Sequence, residues 1–509
     1  AGYLNPEAGV LYDCPYPAED LEEISVVAPV IKSQLMTFDG DAAANETISY
    51  LEFNGLEIRH TDTDREKWNG VYRQAHAFLD AAVYAEGLTH TVFKDCTFTN
   101  LGEYAIELEA GSQDNTIFQC LFRDLGGGGI QVGISSLQDI QRARNSVGFV
   151  FEDKDTHPRT DVLRTRIENS ILSKIGTYWT GSYAINVRFA SYTEVAHNEI
   201  FDTHYTGVAI DARWSDYSGE NYAHSNEFAY NHLHHIGRGL HSDGGAFYQF
   251  GPTDNHYHHN RISDLTAYPH RNEMKGIFYD QQSQGAVAEN NLIHDTEGAG
   301  LVQNWGLGNI FRNNIVAFTE GGATKGKVNP NDGSAFNHLY VYSNVFISND
   351  GIGLGDAWPQ SEEPDIIRDN LFYDLNQDTL TFWGMSLEEW QTQSGLGEGT
   401  LIADPGAADP LQRDFTISTR NAALQQIGFE LFSDELEKAG LYGPESWTRL
   451  PQELAVTIRD EVPHWTSSEI SALENRSDPD VIPEGTIHPE ADAFVRGGSV
   501  ADMNFGNEP

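Results

Sequence analysis

Three aspartates stand where carboxylates could share proton-transfer work: Asp211 in TGVAIDARW (206–214), Asp243 in LHSDGGAF (240–247) and Asp280 in KGIFYDQQ (275–282). A pair of carboxyls flanking a glycosidic bond can hydrolyse it. One gives a proton to the leaving oxygen, and the other activates water or attacks the sugar. The surrounding residues suit a sugar site: Arg213, Trp214, Tyr248, Tyr279 and Trp305 for stacking and hydroxyl binding, with Gln249, Gln281 and Asn304 as amides. His241, Lys275 and Tyr248 add further proton-transfer groups. Two glycines after Asp243 leave room for a ligand to approach the backbone.

Aligned on a glycine, the segments at 206–214, 244–251, 275–282 and 299–306 read as four equivalent strands. Alternation then puts Val208, Ala246, Ile277 and Leu301 inside, with Ile210, Tyr248, Tyr279 and Gln303 in the same parity. Asp211, Gln249, Asp280 and Asn304 form an outward ladder. Asp211 and Asp280 fall two rungs apart, about 9–10 Å between backbones. Inverting glycosidases space their carboxyls by about 6.5–9.5 Å and retaining ones by about 5–5.5 Å, so both outcomes stay open.

What positions these strands is an internal repeat. The phrase apolar–x–x–Asn/Cys–x–apolar recurs, with its key residue at Cys96, Cys120, Asn198, Asn231, Asn260, Asn291, Asn314, Asn344 and Asn370. After Asn198 the spacing is 33, 29, 31, 23, 30 and 26 residues, the length of one solenoid coil. A leucine-rich repeat would show regular leucines and a helical side, and a propeller blade needs about 40 residues or more. The reading is therefore all-β: a right-handed parallel β-helix of about 10–12 coils, with inward asparagines bonded from coil to coil. The 78 residues between Cys120 and Asn198 would hold about two more coils and an insertion near 154–159. Residues 1–45 read as an irregular lead-in, 46–385 as the catalytic β-helix, and 386–509 as a helical and irregular cap with an acidic tail, helix beginning in SLEEWQ (386–391).

A net charge of −45 opposes nucleic acid and anionic membrane as partners. No apolar stretch is long enough to span a membrane. Three cysteines make no disulfide framework, and Cys96 and Cys120 read as small core residues. The histidine tracts HLHH (232–235) and HYHH (256–259) resemble metal ligands, but their alternation leaves no three clearly convergent. No cofactor is expected, and Ca²⁺ is the one ion the clustered carboxylates leave open. GGGG at 126–129 lacks a following GKS or GKT and reads as a turn. The oligomeric state is not legible.

At DGGAFYQFG (243–251) and GIFYDQQSQGAVAENNLIHD (276–295) the chain resembles bacterial β-helix glycoside hydrolases close to glycoside hydrolase family 141, which act as α-L-fucosidases on complex pectin or act on xylan. YLNPEAGVLY, NLGEYAIELEAGS, MSLEEWQ and GLYGPESW extend the resemblance from about Gly2 to Trp447. It implies Asp243 and Asp280 as the catalytic acids, and a secreted or periplasmic enzyme. The chain departs from relatives at Gln281, where they carry an acid, and at QNWG (303–306), where many carry a histidine-containing stretch. Relatives also carry sequence before YLNPEAGVLY, so an N-terminal part is expected to be missing. The leading reading is a glycoside hydrolase on a plant or algal polysaccharide, fucose-containing or sulfated, with Asp211 assisting. The alternatives are a uronate lyase using Lys275, Arg213 and Tyr279, and a non-catalytic carbohydrate-binding solenoid.

Overall fold

The recurring asparagine phrase becomes one corner of a coil, and its apolar flanks become the strands on either side. In a computed structural model, residues 2–5, 10–13, 27–42, 44, 46–64, 67, 75–133, 161–211, 224–251, 254–268, 274–320, 322–327, 338–355, 365–376 and 379–455 are described. Each coil adds one strand to each of three parallel sheets of twelve, eleven and ten strands among these residues. This is the right-handed parallel β-helix expected from the repeat, with strand pairing running from Met36–Asp39 to Leu401–Ile402. A two-stranded antiparallel hairpin, Gly2–Asn5 with Val10–Asp13, forms part of a separate unit.

The asparagine ladder is continuous. Asn198, Asn231, Asn260, Asn291, Asn314, Asn344 and Asn370 are all fully buried. Each side-chain amide from Asn198 to Asn344 donates to the Oδ1 of the next, at 2.9–3.0 Å. The same Oδ1 also accepts the backbone N–H of the asparagine before it. A polar side chain at a buried corner is tolerated here because its amide hydrogens and oxygen are all used. The residue before each ladder position has positive φ, at Tyr230, His259, Asn290, Asn313, Ser343 and Asp369 among others, which turns the chain through the corner.

Two features of the ladder differ from the reading of the repeat. Between Cys120 and Asn198 there is one rung, Ser170, whose Oγ accepts from the Cys120 N–H while its own N–H bonds Asn198 Oδ1. The strand Leu121–Leu125 pairs Ile171–Ile175, which pairs Glu199–Thr203, so the gap holds two coils, as expected, with a serine as the rung between them. The insertion expected near 154–159 falls within 134–160, outside the described residues. Cys96 and Cys120 are buried and unpaired as expected, and Cys14 lies outside the described residues. A second, shorter ladder was not anticipated: Asn226 bonds Asn255 Oδ1 at 3.2 Å at another corner.

Inside, equivalent rings stack along the axis, such as Phe228 on Tyr257 at 4.8 Å and Phe98 on Phe122 at 4.8 Å, while Tyr279 meets Phe311 of another sheet at 5.0 Å. The helix at Leu387–Ser394 forms where composition shifts, N-capped by Ser386 with Glu389 closing a capping box. Its buried Trp390 packs on Phe382. Phe415, Leu424, Ile427 and Phe432 then cover the outer face of the twelve-stranded sheet at Ile315, Val345 and Leu371.

Replacing Asn260 by Ala removes the acceptor of the Asn231 N–H and amide and the donor to the Phe228 carbonyl. It should destabilise the chain by about 3 kcal/mol or more, since each orphaned buried group costs about 1–3 kcal/mol. Cys120→Ser, which reproduces the Ser170 rung, should change stability by about 1 kcal/mol or less. Denaturant unfolding of the two variants checks the contrast.

Candidate functional site

The ten-stranded sheet carries the site, and its geometry begins at a corner of small residues. Ala105, Gly129, Ala184, Gly207, Ala246, Gly276 and Gly300 occupy equivalent positions, each followed by a buried aliphatic or aromatic residue. A Cβ on Gly276 would meet the Gly300 carbonyl at 2.4 Å and Ile293 at 2.6 Å, so this position also faces inward. Ala246 and Phe247 both belong to the core. Two successive inward residues are possible only where the strand turns. The strand Met274–Asp280 is therefore bent, and its two ends line one outer face: Lys275 Nζ lies 4.0 Å from the Phe278 ring centroid.

The corner also corrects the expected alignment. Val208 pairs Phe247, not Ala246, and Phe247 pairs Ile277. In this coil the corner residue is Ala246, so alignment on Gly245 slips the strand by one residue and reverses its faces. The outward ladder is Phe250, Asp280 and Asn304, and the backbone of Asp211 pairs with Phe250. Tyr248 points outward with Phe278, stacked at 5.0 Å. Gln249 points inward and is fully buried, its Oε1 accepting from Tyr257 Oη at 2.6 Å and Asn255 Nδ2 at 3.1 Å. Tyr279 is also interior, stacked on Phe311. Neither Gln249 nor Tyr279 reaches the outer face where substrate would bind, and the lyase reading loses Tyr279 as a base.

Asp280 closes its strand against an apolar cluster of Tyr248, Phe250, Phe278, Ala299 and Val302. Its Oδ1 accepts from Asn304 Nδ2 at 2.6 Å and from the Gln281 N–H at 2.8 Å, and its Oδ2 from Tyr248 Oη at 2.8 Å. These bonds favour the carboxylate, yet the residue is only 4% exposed. Burial, reinforced by the charge of Asp243, outweighs them and pushes the Asp280 carboxyl up to about 6. The same setting raises the Tyr248 hydroxyl well above its usual range, through burial and the charge of Asp280, so it acts as a donor and not as a base.

Asp243 is held differently. It lies just before Gly244–Phe250 in a left-handed conformation, φ 58°, with its side chain 41% exposed. Lys275 Nζ donates to its Oδ1 at 3.0 Å from an almost buried position. Tyr205, which the sequence reading did not single out, donates to the Asp243 carbonyl at 2.8 Å and fixes this turn. Tyr205 stands two residues before the corner glycine, a position that becomes visible only once the strands are aligned on the corner. His241 packs against the Tyr205 ring and bonds Thr180 Oγ1 at 2.9 Å. Burial lowers its pKa to about 3, so it is neutral at ordinary pH.

The two carboxyls thus sit on one face with opposite environments, one desolvated and one accessible and paired with a cation. Trp305 and Gln281 are half-buried, next in sequence to Asn304 and Asp280. The register puts Asp211 two rungs from Asp280, as expected, but its side chain, Arg213 and Trp214 lie outside the described residues.

The folded value of Asp280 lies above its unfolded value near 3.9, so the folded chain holds the proton more tightly. The resulting stability is fully present below about pH 4 and is lost as pH rises through about 6. Asp280→Asn can keep all three contacts, with Oδ1 toward Asn304 and Gln281 and its amide toward Tyr248. The variant should match the parent at pH 4 and exceed it at pH 8 by up to about 3 kcal/mol, from about 1.4 kcal/mol per pKa unit. Thermal unfolding across that range checks it.

No protein-family model matches the chain, and no curated protein matches it. Among solved structures it is similar to one described as a glycoside hydrolase, at 22% identity with a TM-score of 0.51, covering 62% of this chain and 56% of that one. The chain thus spans little more than half of that neighbour's length. It is more loosely similar to the periplasmic alginate epimerase AlgG, at 11% identity and TM-score 0.42, covering 70% and 77% of the two chains. A GH136 lacto-N-biosidase from Eubacterium ramulus follows at 13% identity and TM-score 0.39, covering 74% and 61%. At these identities the first likeness is one of fold.

Proposed function

We propose that the chain is a secreted or periplasmic glycoside hydrolase acting on a complex plant or algal polysaccharide, with Asp280 as general acid and Asp243 as its partner. The observation that carries this reading is the divergence of the two carboxyls: Asp280 raised to about 6 by burial, and Asp243 exposed and held beside Lys275. Pairs of acids driven apart by their environments are how one site supplies acid and base together. The neighbouring glycoside hydrolase fold is consistent with it. Among described residues no helix is long and apolar enough to cross a membrane.

Asp280 gives its proton to the glycosidic oxygen as the bond to the anomeric carbon breaks. Asn304, the Gln281 N–H and Tyr248 are already placed to stabilise the carboxylate that results. Asp243 either takes the proton of an attacking water or bonds the anomeric carbon itself. The anomeric configuration of the product distinguishes these. Tyr248, Phe250 and Phe278 supply an apolar wall for a sugar ring. The resemblance to family 141 makes α-L-fucosyl-bearing pectins and xylans the first substrates to test, with sulfated polymers next.

The test is a screen of these polymers, reading new reducing ends and absorbance near 235 nm together. Reducing ends without absorbance are expected, whereas an unsaturated product would replace hydrolysis by β-elimination. On the polymer cleaved, Asp243→Asn and Asp280→Asn should each lose about 10²- to 10⁴-fold in kcat/KM. Full activity in either removes that residue from its role. Activity should fall as pH rises through about 6, and Tyr248→Phe, which removes a bond to the carboxylate, should move that limb upward.

A further inference from the structure

The histidine tract HLHH lies on the outer face of the twelve-stranded sheet, a different sheet from the one that carries Asp243 and Asp280. In the strand His232–Ile236, Leu233 and Ile236 are core residues, so His232 and His234 point outward together, with ring centroids 4.6 Å apart. The preceding coil sets Glu199 directly across from His232 and Phe201 across from His234. One oxygen, Glu199 Oε1, accepts from His232 Nδ1 at 2.8 Å and from His234 Nε2 at 3.1 Å. The sequence supplied the two histidines but not the third ligand, because the carboxylate comes from the neighbouring coil.

We propose that Glu199, His232 and His234 bind a borderline-soft divalent cation of the zinc type. Their ligand atoms all lie within 4.8 Å of one another. Ligand atoms around a tetrahedral Zn²⁺ with bonds of about 2.0–2.1 Å stand about 3.3 Å apart, so the two contacts of Glu199 with the imidazoles need open by only a few tenths of an ångström. On binding, each imidazole moves its proton to its other ring nitrogen. For His234 that is Nδ1, which already faces His235 Nδ1 at 2.8 Å; with its own proton moved to Nε2, His235 accepts this hydrogen bond and fixes the ring. Phe201 stacks on His234 at 4.9 Å and 4°, holding the ring plane. The Gly440 backbone closes one side, since a Cβ there would stand 3.0 Å from Glu199 Oε2. His232, with its side chain 32% exposed, opens the other side to solvent for a water ligand. Two imidazoles, one carboxylate and an open position form a donor set suited to zinc.

The second tract shows that the motif alone is insufficient. His256 and His258 are also adjacent, with centroids 4.4 Å apart, but His256 bonds Glu289 and His258 bonds Glu227. Each imidazole there has its own carboxylate from a different strand, and among the described residues this tract forms no three-ligand cluster.

The full chain, stripped with chelator, is titrated with Zn²⁺ by calorimetry, with Co²⁺ as a spectroscopic probe of tetrahedral nitrogen and oxygen ligation. One equivalent should bind, raise the thermal midpoint and give the Co²⁺ bands. His232→Gln and His234→Gln should abolish this while leaving the metal-free circular dichroism unchanged. His235→Ala should weaken binding by about 10- to 100-fold, and His258→Gln should leave it intact. Absence of binding by the parent chain, unaltered binding in His234→Gln, or loss in His258→Gln each overturns the assignment.

Discussion

Every functional distance in this chain depends on a row of buried amides. A parallel β-helix has no hairpins to set register; each coil must find its place on the one before by other means. The asparagine ladder does this because an Oδ1 that accepts from both the side chain and the backbone of its neighbour satisfies neither if the coil shifts by one residue. The second ladder repeats the device, and explains why Gln249 is turned inward: its Oε1 receives Asn255 at that corner. Gln303 does the same for Asn309 at 2.7 Å. With register held at two corners, the third sheet has no freedom to choose which side chains it shows.

The site follows from that constraint together with the bend at the small-residue corner. A straight strand would place Lys275 and Phe278 on opposite faces; the turn at Gly276 brings them into contact. At Asp280 the balance is between loss of water, which favours the neutral acid, and three donors, which favour the carboxylate. Three hydrogen bonds would ordinarily hold a carboxyl low. Here Phe250, Phe278 and Val302 exclude water, and Asp243 adds a like charge, so burial prevails. Asp243, a turn residue with solvent access and a lysine partner, meets none of that cost. The asymmetry between them is built from backbone position, not from residue type, since both groups are aspartates.

The fold was legible because one residue type, recurring once in every coil from Asn198 to Asn370, carried it. Asparagine at a solenoid corner has few substitutes, and Cys96, Cys120 and Ser170 show how far the position can relax. The serine rung was invisible to a search for asparagine or cysteine, so the length of the gap before Asn198 gave its two coils but not the residue between them. Asp243 and Asp280 were legible through glycine-flanked motifs and family resemblance. The faces were not, since the alignment took Gly245 as equivalent to Gly276 when Ala246 fills that place. Glycine and alanine are interchangeable at a corner that excludes only larger groups, so sequence could not tell them apart. Tyr205 and Glu199 escaped for a related reason: each acts on a residue in the next coil, about 30 positions away, and no local pattern marks such a partner.

The central claim is that Asp280 keeps its proton up to about pH 6, while Asp243 stands exposed beside Lys275. The direct measurement is an infrared titration of the carboxyl band, taken as the difference between the chain and Asp280→Asn. A protonated carboxyl band lost with a midpoint near pH 6 is the result the structure predicts. A midpoint near 4, the value of a solvated aspartate, would show that the three donors outweigh burial. Asp280 could not then serve as the acid.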